Sequence, residues 1–178
     1  RVLKGVLTKQ ILKDTSNAWN TNHITPGTDF MIGLDTYLQN AFKQERMIIF
    51  SGTGEKGEGE HKICKLLRQN NNSRNIVIYG LDADLIMLGL LLHGEGFNIY
   101  LYKETKHFEY ISQVNPDTHY YFEINVLGEE IHSLLEGSTK EQCICDYIFL
   151  CFLCGNDFMP HIPAIHIRND GIVLLIEK

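Results

Sequence analysis

Apolar residues at Leu3, Val6, Leu7, Ile11 and Leu12 recur at helical spacing, with Lys4, Lys9 and Lys13 on the opposite side, and predict an amphipathic helix. A polar stretch from Asp14 to His23 ends it. Thr25-Pro26 then offers a cap with proline at the first helical position, and Phe30, Leu34, Tyr37, Leu38 and Ala41 form the next helical stripe. Arg46-Met-Ile-Ile-Phe-Ser51 is short, β-prone and followed by glycine, which predicts a buried strand. Residues Glu60 to Gln69 return to helical spacing through Ile63, Leu66 and Leu67, closed by the polar tract Asn70-Asn-Asn-Ser-Arg74. Asn75 to Gly80 reads as a second strand, Leu85 to Leu92 as a helix apolar almost all round, and Phe97 to Tyr102 as a third strand. Strands alternating with helices are βαβ units. The expected fold class is therefore α/β, a mainly parallel twisted sheet with helices on both faces. Lys103 to His119 is polar and aperiodic, a surface excursion. Tyr120 to Asn125 is either a further strand or the lead into a helix from Leu127 to Glu136, and Cys143 to Cys154 is a buried helix broken by Gly155-Asn156-Asp157.

Length and composition narrow the classes of function. With 178 residues, 44% of them hydrophobic, the chain can bury one ordinary core, and one globular domain spanning 1–178 is expected. No apolar run approaches the length of a membrane span, and Arg1-Val2-Leu3-Lys4 lacks the layout of a signal peptide, so no membrane partner is expected. The chain opens without methionine inside a helical pattern, which suggests a piece of a longer protein. A net charge of −6 excludes a histone-like or arm-type nucleic-acid binder but leaves room for an enzyme with a local basic channel. Five cysteines, an odd count, do not make a disulfide framework and suit a reducing compartment. Cys143, Cys145, Cys151 and Cys154 either supply thiolates to zinc or are buried helical residues; the apolar run lacks the glycine turns that wrap a backbone around a metal.

Acids stand beside glycine at the ends of these elements. Gly57-Glu58-Gly59-Glu60 lies between the first strand and its helix, and Asp82-Ala83-Asp84 follows the second strand. Carboxylates two apart point the same way only in extended backbone, so such pairs must precede or open the helix. In an open parallel sheet, ligands bind at the carboxyl ends of the strands. Asp157 sits in the break after the cysteine-rich helix. Each acid taken singly reads equally as a helix cap or a dipole partner. Two pairs at equivalent junctions favour one rim where carboxylates converge, and their repulsion calls for divalent metal. All-oxygen ligation selects Mg²⁺ or Mn²⁺, and two such ions suit in-line phosphodiester cleavage. These five acids account for most of the net charge, so the acidity fits a metal site and is no obstacle to RNA or DNA.

Ile24-Thr-Pro-Gly-Thr-Asp-Phe-Met31, Phe50-Ser-Gly52 with Gly57-Glu-Gly-Glu-His-Lys-Ile63, Tyr79-Gly-Leu-Asp-Ala-Asp-Leu-Ile-Met-Leu-Gly89 and Gly155-Asn-Asp-Phe-Met-Pro-His161 resemble, in order, the signature blocks of Xrn-type 5′→3′ exoribonucleases. The resemblance runs from about Leu3 to Lys178 and corresponds to the latter part of the family's N-terminal nuclease region. It implies a PIN-like core related to flap endonucleases, present here as an incomplete fragment. By position it implies that Glu58, Glu60, Asp82, Asp84 and Asp157 hold two Mg²⁺ or Mn²⁺ ions and are the catalytic acids. Asn156, His61 and Lys62 are then supporting or substrate-proximal residues. His161 and His166 read as packing or loop residues, and Arg68 and Arg74 as solvated helix-end residues able to touch phosphate. The implied substrate is single-stranded RNA with a 5′-monophosphate, and the implied process is RNA degradation, including mRNA decay.

The resemblance also implies that a first strand with further metal-binding aspartates, and a basic pocket for the 5′-monophosphate, lie upstream of Arg1. The missing N-terminal half of the nuclease region would then be a partner, and the fragment alone inactive. Lys56 stands where the family usually has proline. The Phe50-Ser-Gly52 and Ile165-His-Ile167 wording is closer to the cytoplasmic branch, which places the protein in the cytoplasm, with the nucleus as the other compartment. Two other readings stay open: a flap-type structure-specific 5′ nuclease, and a non-catalytic RNA-binding or scaffold module.

Overall fold

The computed structural model describes residues 20–70, 75–80, 82–103, 115, 118–135, 139–157, 159–165 and 170–176. The helix expected at Leu3–Leu12, together with Arg74 and His166, lies outside them. The chain divides into two compact units after Lys62. The first holds a short 3₁₀ turn at Thr21–His23 and helix α1, Asp29–Phe42. Helix α2, Gly59–Gln69, spans the division. Then come β1 (Asn75–Tyr79), α3 (Asp84–Gly94), β2 (Asn98–Lys103), β3 (Tyr120–Glu123), α4 (Ile124–Leu134), α5 (Lys140–Leu153) and α6 (Gly171–Ile176).

In the first unit the cap of α1 falls later than Thr25-Pro26. Gly27 takes a φ of +86°, which lets the chain turn, and the Thr28 hydroxyl then accepts the Met31 N–H at 3.4 Å. Thr25 instead donates its hydroxyl to the Asn22 carbonyl. The strand expected at Arg46–Ser51 does not form. Residues 48–50 have no regular secondary structure, and Met47 and Ile49 are 95% and 69% exposed. A strand exists only as part of a ladder, and these residues pair with none of the described strands.

The second unit is built on a three-stranded mixed sheet of order β1-β2-β3. β1 and β2 run parallel with α3 between them, as the βαβ reading requires, pairing Ile76 with Ile99 and Ile78 with Leu101. β3 is antiparallel, with Leu101 opposite Phe122 and Tyr102 opposite Tyr121. The sheet is thus parallel in one pair of strands and not throughout. Tyr120–Glu123 resolves the strand-or-helix ambiguity by being a strand that runs directly into α4. A side-chain amide ladder ties one end of the sheet: Asn98 donates to Asn75, Asn125 donates to Asn98, and the Ile99 N–H donates to Asn125.

One face of this sheet carries the core. Ile78, Ile99 and Leu101 are buried there with Leu85, Leu90 and Leu92 of α3, Ile124 and Ile131 of α4, and Cys143, Ile144 and Ile148 of α5. α3 packs on β2, α4 and α5, which explains why its sequence is apolar on nearly every side. Burying a Leu or Ile side chain is worth about 1.5–3 kcal/mol relative to exposure, so this cluster dominates the stability of the unit. The opposite face is exposed at several positions among the described residues. Val77 and Tyr79 are 58% and 62% exposed, and Tyr79, Tyr102 and Tyr121 form a row of rings with centroids 5.4 Å apart. Three of the outward positions are tyrosines, which tolerate a half-wet surface better than aliphatic residues do. Of the clustered cysteines, Cys143, Cys151 and Cys154 are buried along α5 or at its end and Cys145 is exposed.

Arg68, in the last turn of α2, clasps Glu95 at the end of α3, with Nε 3.0 and 2.9 Å from the two carboxylate oxygens and an NH2 contact of 2.5 Å. Arg68 is a solvated helix-end residue, as expected, and in addition makes an ion pair. Hydrogen bonds from Arg68 hold the Glu95 carboxyl below its ordinary range, opposed by partial burial. A depressed carboxylate pKa stabilises the fold above the unfolded value, and the benefit is lost as pH falls through the folded value. Both side chains are nearly half exposed, so the pair contributes at most about 1 kcal/mol. Urea unfolding of Glu95→Gln should therefore show lower stability than wild type at pH 7 by up to about 1 kcal/mol, the gap closing toward pH 3. A gap that persists at pH 3 would mean that packing, and not the ion pair, is what the substitution removes.

Candidate metal centre

Glu58, Glu60 and His61 come together because the loop after Gly52 feeds directly into α2. The Glu58 carbonyl accepts the Lys62 N–H at 3.0 Å and so starts the helix, placing Glu60 and His61 in its first turn. Gly57 turns the chain at φ +100°, a conformation that costs a side-chain-bearing residue strain. One ligand atom from each of Glu58, Glu60 and His61 lies within 4.8 Å of the others, and among the described residues this is the one such group. His61 Nε2 is 3.9 Å from a Glu58 oxygen, and Glu58 and His61 are exposed while Glu60 is half-buried. The acids open the helix, as their spacing requires. The helix dipole favours carboxylates here even without a ligand.

Lys62, next along α2, bonds to the loop that precedes this group. Its Nζ donates to the Gly52 carbonyl at 2.8 Å and so ties the loop. The other side of that loop is fastened by Asp35 of α1, whose Oδ2 accepts the Thr53 N–H at 2.7 Å and the Thr53 hydroxyl at 2.6 Å. The Thr53 hydroxyl is the main cause holding the Asp35 carboxyl below its ordinary range. Sequence reasoning missed Asp35 and Thr53. They are 18 residues apart, and nothing in the local pattern marks either.

In the second unit, Asp82 and Asp84 sit at the carboxyl end of β1 and the start of α3. The capping alternative fails for both. Ala83 is the N-cap, with no side-chain cap bond, and neither aspartate has a side-chain hydrogen bond or ion pair among the described residues. Asp157 follows α5 in a loop that Gly155 opens at φ +90°. A Cβ on Gly155 would lie 2.8 Å from the His161 backbone nitrogen, so the loop folds tightly back on its glycine and His161 is a loop-packing residue. Asn156 brackets Asp157: its Oδ1 accepts the Met159 N–H at 2.7 Å, and its own N–H donates to the Met159 carbonyl at 2.9 Å. Asn156 therefore supports the loop that presents Asp157.

The donor set fits a hard divalent cation in part. Carboxylate oxygens such as those of Glu58 and Glu60 are the ligands that Mg²⁺ and Mn²⁺ select, and the adjacent imidazole of His61 is tolerated better by Mn²⁺. The buried cysteines add no ligand to this set. Desolvation, reinforced by Cys154, raises the Cys151 thiol above its ordinary range and disfavours the thiolate that metals take.

Comparison with known proteins places this α/β chain in a family. Residues 3–103 match the family described as XRN 5′-3′ exonuclease N-terminus, and residues 138–178 match the Xrn1 helical domain. The chain belongs to the XRN 5′-3′ exonuclease family. It is 34% identical over 92% of its length to 5′-3′ exoribonuclease 2 of Kluyveromyces lactis, covering 20% of that protein. It is 34% identical over 97% of its length to human 5′-3′ exoribonuclease 1, and 36% identical over 89% to the Saccharomyces cerevisiae exoribonuclease 1, covering 12% of each. The chain thus spans about a fifth or less of these relatives.

Replacing Asn156 by Ala should speed hydrogen exchange of the Met159 amide by about 10-fold, the loss of one net hydrogen bond, while Asn156→Asp keeps the acceptor and the protection. Equal exchange in all three proteins would show that Asn156 does not hold the loop.

Proposed function

We propose that this chain is the metal-binding part of a PIN-like 5′→3′ exoribonuclease that hydrolyses single-stranded, 5′-monophosphorylated RNA. The observation that carries the reading is the Glu58–Glu60–His61 group at a loop–helix junction, in a chain whose relatives are named 5′-3′ exoribonucleases. Glu58, Glu60, Asp82, Asp84 and Asp157 together hold two Mg²⁺ or Mn²⁺ ions. When bound, these ions supply Lewis-acid stabilisation of charge at the scissile phosphate and activate water.

The chain's own residues do the positioning. The α2 and α3 starts present the glutamate and aspartate pairs, where the partial positive charge of the helix N-termini also favours a phosphate. Asn156 keeps Asp157 in place, and His61, 3.9 Å from Glu58, either orients that carboxylate or meets the substrate. The grip on the 5′-phosphate and further aspartates belong to the N-terminal half of the nuclease region.

In the full-length enzyme, Asp82→Asn with Asp84→Asn should lower degradation of 5′-monophosphorylated RNA at least about 10²–10³-fold, the range found when one electrostatic stabiliser is removed. Thermal unfolding should stay within a few degrees of wild type, because both side chains lack partners among the described residues. Undiminished turnover would refute the assignment.

A further inference from the structure

We propose that Asp35 is a positioning residue for the Glu58/Glu60 pair, acting with Lys62 through the peptide that joins Gly52 to Thr53. The inference rests on reading those two glutamates as metal ligands. That single peptide is gripped at both of its polar groups. Its carbonyl accepts the Lys62 ammonium at 2.8 Å, and its N–H donates to Asp35 at 2.7 Å. The Thr53 hydroxyl adds a second bond to the same Asp35 oxygen at 2.6 Å. Residue 52 must be small for this approach, because a Cβ there would lie 2.7 Å from the Asp35 carboxyl.

The consequence concerns what lies between the two anchors. Lys62 follows Glu60 by two positions on α2, so its bond to Gly52 closes a ten-residue span that contains Glu58 and Glu60. Within that span the Glu55 N–H donates to the Gly52 carbonyl at 3.2 Å, and the Ser51 hydroxyl just outside it donates to the Glu55 carboxylate at 2.5 Å. Asp35 fixes the start of the span to α1, a helix fourteen residues long and far stiffer than a loop. Two like-charged carboxylates on a loose loop would swing apart in the absence of a cation. Held by the clamp, they keep the spacing a cation needs, and less ordering remains to be done on binding.

The test is Mn²⁺ affinity of the full chain, read from the electron paramagnetic resonance signal of free Mn²⁺. Loss of supporting hydrogen bonds around ligands typically weakens metal affinity about 10–100-fold, and Asp35→Ala should raise the dissociation constant about 10-fold or more. Asp35→Asn keeps an oxygen able to accept both Thr53 bonds and should stay within about 3-fold of wild type. Thr53→Val, which removes only the hydroxyl bond, should fall between and serves if Asp35→Ala does not fold. Unchanged affinity in Asp35→Ala, or in Thr53→Val where Asp35→Ala does not fold, alongside lost binding in Glu58→Gln/Glu60→Gln, overturns the clamp and leaves the metal reading intact. An Asp35→Asn as weak as Asp35→Ala overturns it as well, since charge and not hydrogen bonding would then be at work. Wild-type binding in Glu58→Gln/Glu60→Gln removes the metal reading first, and the clamp with it.

Discussion

Like charges held close together are the constraint on which this molecule's chemistry depends. Glu58 and Glu60 offer oxygens within 4.8 Å of each other, a separation at which two carboxylates repel by about 1 kcal/mol in water and more where solvent is thinned. The protein places the acids at a helix N-terminus, which eases that repulsion, and adds no lysine or arginine ion pair to either acid among the described residues. Lys62 stands next in sequence to His61, yet its charge is spent on a loop carbonyl. A cation-accepting site and a merely tolerated acidic surface differ on this point. The first leaves its carboxylates without cationic side-chain partners and stiffens what carries them.

The fold was legible wherever periodicity and local chemistry agreed. β1, α3 and β2 emerged at nearly their observed bounds, because a short β-branched run, an all-round apolar helix and a second strand leave few alternatives. Failures arose where an element depends on something distant in sequence. Arg46–Ser51 has a strand's composition, but composition cannot supply a neighbouring strand, and among the described strands none pairs with it. The antiparallel direction of β3 was equally hidden, since Tyr120–Glu123 reads the same in either direction. The partly exposed sheet face was foreshadowed only by tyrosines at Tyr79, Tyr102 and Tyr121, residues that suit buried and half-wet positions alike.

The candidate site was legible as residue types and not as supports. Spacing of two beside glycine pointed to Glu58/Glu60 and Asp82/Asp84, and the structure places both pairs where a helix opens. What holds these acids in place was invisible beforehand. The Asn156 bracket around Asp157 is local, and an Asn ahead of a turn is a recognisable signal. The Asp35–Thr53 contact crosses from one element to another and leaves no trace in either segment's pattern.

The most direct measurement is anomalous diffraction at the manganese edge from crystals of the full chain grown or soaked with MnCl₂. Expected is manganese scattering within coordination distance of carboxylates from Glu58/Glu60 and from Asp82/Asp84, with Asp157 in contact with at least one ion. Manganese bound at one acid pair alone, or at neither, in well-ordered crystals at millimolar metal would contradict the shared site.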